Sequence, residues 1–287
     1  MALVDWDRPL AEICYWQRRL SVAICAPSAR PEPSAMSIRR ICLAASLMGL
    51  AAASAHAKPV ALPANIAAAA ADPARSAQAA SDAKRHGPEI LAFAGVRLGA
   101  KVVDLIPGGG YWTQLFAGAV GPKGHVFGVW PDEYAKVDGE DVAPYEALIK
   151  APAYANVSVL HQPAAALAVP EPVDLIFTAQ NYHDYPDTFM GPTDPAVLNK
   201  AAFAALKHGG IYLVIDHAAA AGSGARDTAT LHRIDPASVK AAVIAAGFRF
   251  VGASPLLANP ADDHTTKVFD AAIRGKTDQF IYKFRKP

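Results

Sequence analysis

From residue 101 onward, short apolar runs rich in β-branched residues alternate with helix-like stretches, and few folds accommodate that rhythm. The runs fall at 101–106 (KVVDLI), 125–130 (HVFGVW), 157–160, 173–178 (VDLIFT), 211–215, 248–251 and 280–284. Helical segments are expected between them at 111–120, 141–150, 195–207 and 236–246. Short apolar runs bounded by turn residues read as buried strands, and strands separated by helices need crossover connections. The pattern predicts an α/β fold: a doubly wound, Rossmann-like sheet with helices on both faces and right-handed crossovers. Asp194 before Pro195 and Asp235 before Pro236 mark two helix starts, because each puts a capping carboxylate ahead of a residue with no N–H to leave unpaired. No repeat at a period of 20 to 50 residues is visible.

The segment ahead of that region reads differently. Residues 58–95 are Ala-rich and helical in character, broken at Asp72-Pro73 and Gly87-Pro88, and the domain proper is expected over 96–287. Residues 36–57 (MSIRRICLAASLMGLAAASAHA) combine a Met, the basic pair Arg39 and Arg40, an apolar run at 41–53 and the small-residue end Ala55-His56-Ala57. That order predicts a signal peptide cleaved after Ala57, and with it a periplasmic or secreted protein. The apolar run is shorter than the roughly 20 residues a membrane span needs, so no stable membrane insertion is expected after cleavage. Residues 1–35 then read as an over-called start, with Met36 the better initiator. Cys14, Cys25 and Cys42 all precede residue 58, which excludes a thiol nucleophile, a zinc–cysteine site and a disulfide framework from the domain. With 27 Lys and Arg against 26 Asp and Glu, the chain has no field to hold nucleic acid, and a small-molecule substrate is expected.

In open α/β sheets ligands bind beyond the carboxyl ends of the strands, and there this sequence is polar or glycine-rich. Pro107-Gly108-Gly109-Gly110-Tyr111-Trp112-Thr113 follows the first run, Trp130-Pro131-Asp132-Glu133 the second and His161-Gln162-Pro163 the third. Gln180-Asn181-Tyr182-His183-Asp184 follows the fourth and Asp216-His217 the fifth. Consecutive glycines between a strand and a helix let the main chain turn tightly and approach a ligand with no Cβ in the way. A phosphate loop needs Gly-Lys-Ser/Thr and a dinucleotide site Gly-x-Gly-x-x-Gly; the string here has neither.

The strings VVDLIPGGGYWTQLFAGAVG and HGGIYLVIDH, and the Asp-Pro helix leading into AAGFRFV, resemble class I S-adenosylmethionine-dependent methyltransferases. More narrowly, they resemble an exported bacterial branch labelled predicted methyltransferase. The resemblance covers roughly residues 72–287 and implies a seven-stranded sheet whose last strand is antiparallel. It implies S-adenosylmethionine as cofactor, with Asp104, Gly108, Gly109, Gly110 and Tyr111 at the methionine end. The acid that usually ends the second strand is replaced by Trp130, with Asp132 and Glu133 just beyond it. Trp130 can stack on adenine or simply pack, and the two carboxylates can take the ribose or open a surface helix. The acid often found near the adenine falls at Pro163, leaving His161 and Gln162 as the polar groups there. Asn181, His183 and Asp184 fall where this fold faces the methyl acceptor, with His183 the candidate general base. Asp216, His217, His232 and Asp235 can join His183 around a divalent ion, but their spacing matches no short ligand motif and no metal is assigned. The expected function is methyl transfer to a small acceptor; the alternatives are a non-catalytic exported binding protein of this fold and a metal-assisted hydrolase.

Overall fold

The computed structural model describes residues 61–137 and 139–287; residues 1–60, and with them the expected leader and cleavage point, lie outside the described residues. Seven strands form one sheet: β1 (Lys101–Leu105), β2 (His125–Pro131), β3 (Val157–Gln162), β4 (Val173–Ala179), β5 (Leu206–His217), β6 (Arg249–Ser254) and β7 (Gln279–Arg285). Their spatial order is β3-β2-β1-β4-β5-β7-β6. β1 to β5 pair in parallel, and β7 inserts antiparallel between β5 and β6.

The period of 2 along each strand divides the apolar residues between the faces. Val103 and Ile176 enter one core with Tyr145, Tyr182 and Val243, whereas Val102, Leu175 and Phe177 enter a second with Ile90, Leu115 and Phe116. Both faces are therefore covered, as the continuous apolar strand runs require. The chain reverses direction at β1, which lies between β2 and β4, so the bends after β1 and β4 flank the topological switch point.

Several strand ends depart from the sequence reading. β2 runs one residue further, to Pro131, and β3 continues to Gln162, because Trp130 pairs with His161 and Pro131 with Gln162. The helix Pro195–Ala205 stops before Lys207, since Leu206 already pairs with Val173 and β5 continues through Gly209 and Gly210. The Asp194 and Asp235 caps form as expected, accepting from Ala196 N and Ala237 N at 2.8 Å each.

The segment from residue 61 packs on the helix Tyr111–Val120. A Cβ at Gly118 would lie 2.9 Å from Ala69 Cβ, so this glycine lets the helix Ala64–Ala70 cross closely. Buried Arg75 grips both carboxylate oxygens of Asp82 at 2.7 and 2.8 Å, and the Tyr111 hydroxyl donates to the same carboxylate at 2.8 Å.

Gly128 in β2 has a comparable cause: a Cβ there would collide with the hydroxyl of Tyr145, from the helix Val142–Leu148. Gly128→Ala is expected to cost about 1–3 kcal/mol of stability through overpacking. In a Tyr145→Phe background, which removes the colliding oxygen, the same substitution is expected to cost about 1 kcal/mol less. Urea denaturation of the four proteins checks this, and strictly additive losses would contradict it.

Candidate functional site

The bend after β1 is held under strain. Ile106, β-branched, sits at φ +56, and Gln180, the first residue after β4, sits at φ +65. Such residues seldom adopt positive φ unless neighbours fix them. Ile106 N donates to Val129 O at 2.8 Å and its carbonyl accepts from Asn181 Nδ2 at 3.4 Å, while Gln180 N donates to Ile215 O at 2.8 Å. Asn181 Oδ1 also accepts from Ala179 N at 3.2 Å. Asn181 thus ties the β1 and β4 bends together.

The three glycines are not equivalent. Gly110 (φ +78) is a packing glycine, since a Cβ there would lie 2.7 Å from Leu148 Cδ2 and 3.3 Å from the Tyr145 ring. Gly108 (φ +52) has open space on that side: among the described residues a Cβ would meet only Asp141 Oδ2, at 3.9 Å. Gly109, between them, is partly exposed. Below the bend Asp104 is 1% exposed, and its Oδ2 accepts from Thr113 Oγ1 at 2.5 Å. Burial pushes its carboxyl up to about 7, against the opposing pull of the Thr113 bond.

The residues expected around adenine and ribose are dispersed. Trp130 is fully buried against Tyr134 and Tyr145, with ring centroids at 6.0 and 5.8 Å, so it presents no face for stacking and packs instead. Its indole Nε1 is buried and has no hydrogen-bond partner among the described residues. The longer β2 makes Asp132 the first residue beyond the strand, half-buried at the start of the helix Asp132–Val137. Glu133 is committed elsewhere, accepting from Ala164 N at 2.7 Å. His161 pairs with Glu146 at 3.0 Å on the exposed side, and Gln162 Oε1 accepts from Ala168 N at 2.9 Å; both lie within β3 rather than after it. Tyr111 is turned toward the amino-terminal segment by its bond to Asp82, with the Arg85 guanidinium 4.9 Å from its ring centre.

At the carboxyl ends of β4 and β5 a compact polar cluster forms, with Asp216 and His217 the last two residues of β5 rather than following it. Asp216 is fully buried and accepts from His183 N and His183 Nδ1 at 2.8 Å each and from His217 N at 2.7 Å. The other nitrogen of His183, Nε2, lies 3.2 Å from Asp184 Oδ1 and 3.4 Å from His232 Nδ1. Burial opposes charge on His183, but Asp216 and Asp184 outweigh it and raise the imidazole to about 9. Burial drives His217 down to about 3 and, together with His183, His232 down to about 4. One cationic imidazole therefore sits among neutral ones at pH 7. A cationic His183 has no lone pair to accept a proton, so in this arrangement it is a donor rather than the expected base. His217 is bonded to Thr277 at 2.8 Å, and Asp235 is used as a helix cap and as acceptor for Gly222 N at 2.8 Å, so neither joins the Nε2 side of His183. Asp141, facing Gly108, carries no pattern in the sequence that singles it out.

No family model and no curated protein matches the chain. Among solved structures it is similar to a S-adenosylmethionine-dependent methyltransferase from Aquifex aeolicus, with 18% identity and a TM-score of 0.52 over 75% of this chain and 97% of that one. It is also similar to the [4+2]-cyclase SpnF, with 16% identity and a TM-score of 0.53 over 71% of this chain and 80% of that one. The second likeness shows that one architecture serves different reactions, so the chemistry must be argued from the site. What the comparisons establish is the fold: a seven-stranded, methyltransferase-type α/β sheet.

Proposed function

We propose that the protein is an exported enzyme that transfers a methyl group from S-adenosylmethionine to a small acceptor. The observation that carries this reading is Gly108, held at positive φ at the switch point with open space where a side chain would project. The residues present fit the cofactor: bare main chain at Gly108 and Gly109, and the carboxylates of Asp141 and Asp132 beside the ends of β1 and β2, suited to an ammonium group and to ribose hydroxyls. When bound, S-adenosylmethionine supplies a methyl group on a sulfonium, electrophilic without further activation. The chain's task is then alignment, since an in-line displacement depends chiefly on holding the acceptor at the right distance and angle. His183, cationic and fixed by Asp216, donates toward an acceptor oxygen and orients it, while Asn181 keeps the β1 and β4 bends in register. Export rests on the order of residues in 36–57.

Calorimetric titration with S-adenosylmethionine and S-adenosylhomocysteine tests the proposal. The wild type is expected to bind both with one site per chain. Gly108→Asn, which tolerates the left-handed backbone but places a side chain in the open space, is expected to weaken binding by about tenfold or more with little change in melting temperature. Absence of heat for both ligands on folded wild-type protein would overturn the proposal.

A further inference from the structure

Three ligand atoms converge in the polar cluster at spacings that hydrogen bonding does not favour. His183 Nε2 to His232 Nδ1 is 3.4 Å, beyond the usual 2.7–3.2 Å of a nitrogen donor and its acceptor. His183 Nε2 to Asp184 Oδ1 is 3.2 Å, longer than the roughly 2.7–2.9 Å of an ion-paired hydrogen bond. One ligand atom from each of His183, Asp184 and His232 lies within 4.8 Å of the other two. With bonds of about 2.05 Å to a tetrahedral ion, neighbouring ligand atoms stand about 3.3 Å apart. The two separations from His183 Nε2, 3.4 and 3.2 Å, are those of the edges of such a polyhedron.

The geometry points to a divalent transition-metal site of the zinc type, formed by His183 Nε2, Asp184 and His232 Nδ1. Its support is already built. A metal-binding imidazole characteristically gives its second ring N–H to a carboxylate, which fixes ring and tautomer. His183 does so to Asp216 at 2.8 Å, and Asp216 is itself pinned by the backbone N–H groups of His183 and His217. His232, at φ +54, caps the short helix Thr228–Leu231 and is brought to the site by that turn. His183 and Asp184 are buried and His232 half-buried. Two imidazoles and one carboxylate leave coordination positions for water or a small oxygen ligand, the arrangement of a working site rather than a closed structural one. The inference needs no cofactor; an ion bound at His183 Nε2 takes the place of the proton there, so with the ion bound His183 coordinates rather than donates to an acceptor, while Nδ1–H stays on Asp216.

Titration of metal-free protein with Co2+, followed by visible absorption, and equilibrium dialysis against Zn2+ test it. One ion per chain is expected, with the d–d bands of low-coordinate Co2+. His232→Asn, which keeps the left-handed turn and removes the imidazole, is expected to weaken Zn2+ binding by about tenfold or more and to change the Co2+ spectrum, with the melting temperature of the metal-free protein retained. Asp216→Asn, acting through His183, is expected to cost about 10–100-fold in affinity. Unchanged affinity and spectrum in His232→Asn, or no stoichiometric binding by the wild type, would overturn the inference. Neither readout involves S-adenosylmethionine, so failure here and failure of the calorimetric titration are separate results.

Discussion

Asp104→Asn is expected to stabilise the protein at pH 8 by up to about 4 kcal/mol and to flatten its stability profile between about pH 4 and 7. The carboxyl is 1% exposed, and its pKa stands at about 7 in the folded chain against an ordinary 3.8. In that window the folded protein binds a proton that the unfolded chain has released. Stability therefore falls as pH rises from 4 to 7 and stays lower above it; below 4 both states are protonated and the group contributes nothing. Asparagine has nearly the same shape, does not ionise, and can turn its amide toward Thr113 Oγ1, the present partner of the carboxylate. Urea denaturation of both proteins at several pH values measures the effect, and parallel profiles would refute it. A gain of this size from one neutral substitution raises the question of why the charge is kept. Under the proposed methyl-transfer function, a negative charge beneath the glycine bend would favour a cationic ligand, and the same variant is expected to bind S-adenosylmethionine more weakly.

The sheet was legible because buried parallel strands need uninterrupted apolar runs, and KVVDLI, HVFGVW and VDLIFT have no other good home. Strand ends were less so. Pro131 reads as a stop and Gly209-Gly210 as the end of a helix, yet pairing with Gln162 and the bonding of Leu206 to Val173 extend both strands through them. In the site, three adjacent glycines look alike in sequence. What separates Gly108 from Gly110 is the side chains of Tyr145 and Leu148, which only the fold brings back over the bend. Trp130 is buried by the same Tyr145. His183, Asp216 and His232 were legible as chemistry but not as a set, since 33 and 49 residues of chain separate His183 from the other two and no short ligand spacing spans such gaps. Asp184, adjacent to His183, enters with it.

Arg233→Ala is expected to cost about 3–5 kcal/mol and to loosen the carboxyl-terminal loop from the site. The Arg233 side chain is fully buried and makes a planar fork of contacts: Nε to Thr266 O at 3.0 Å, Nη1 to Ala218 O at 2.9 Å, and a two-point pair with Asp262 at 2.9 and 3.1 Å. Asp262 in turn accepts from Asp278 N at 2.7 Å and His264 N at 3.1 Å. One guanidinium thus joins the end of β5, the turn that carries His232, and residues 255–278, which contain no helix or strand of their own. Burial alone would raise the Asp262 carboxyl, but the Asp278 N–H and Arg233 hold it below its ordinary value, so removing Arg233 leaves a charge in a dry pocket. Arg233→Lys is expected to recover little, because one ammonium cannot reproduce the fork. Arg233→Met with Asp262→Leu is expected to recover much of the loss, since an apolar pair needs no compensating charge. Denaturation of the four proteins and limited proteolysis over 255–278 measure both effects. Stability of Arg233→Lys equal to the wild type would show that charge alone, and not the planar fork, secures the loop. The recovered double variant then separates stability from positioning: folded again but without the bonds to Thr266 and Ala218, it is expected to hold His232 loosely and to bind Zn2+ more weakly than the wild type.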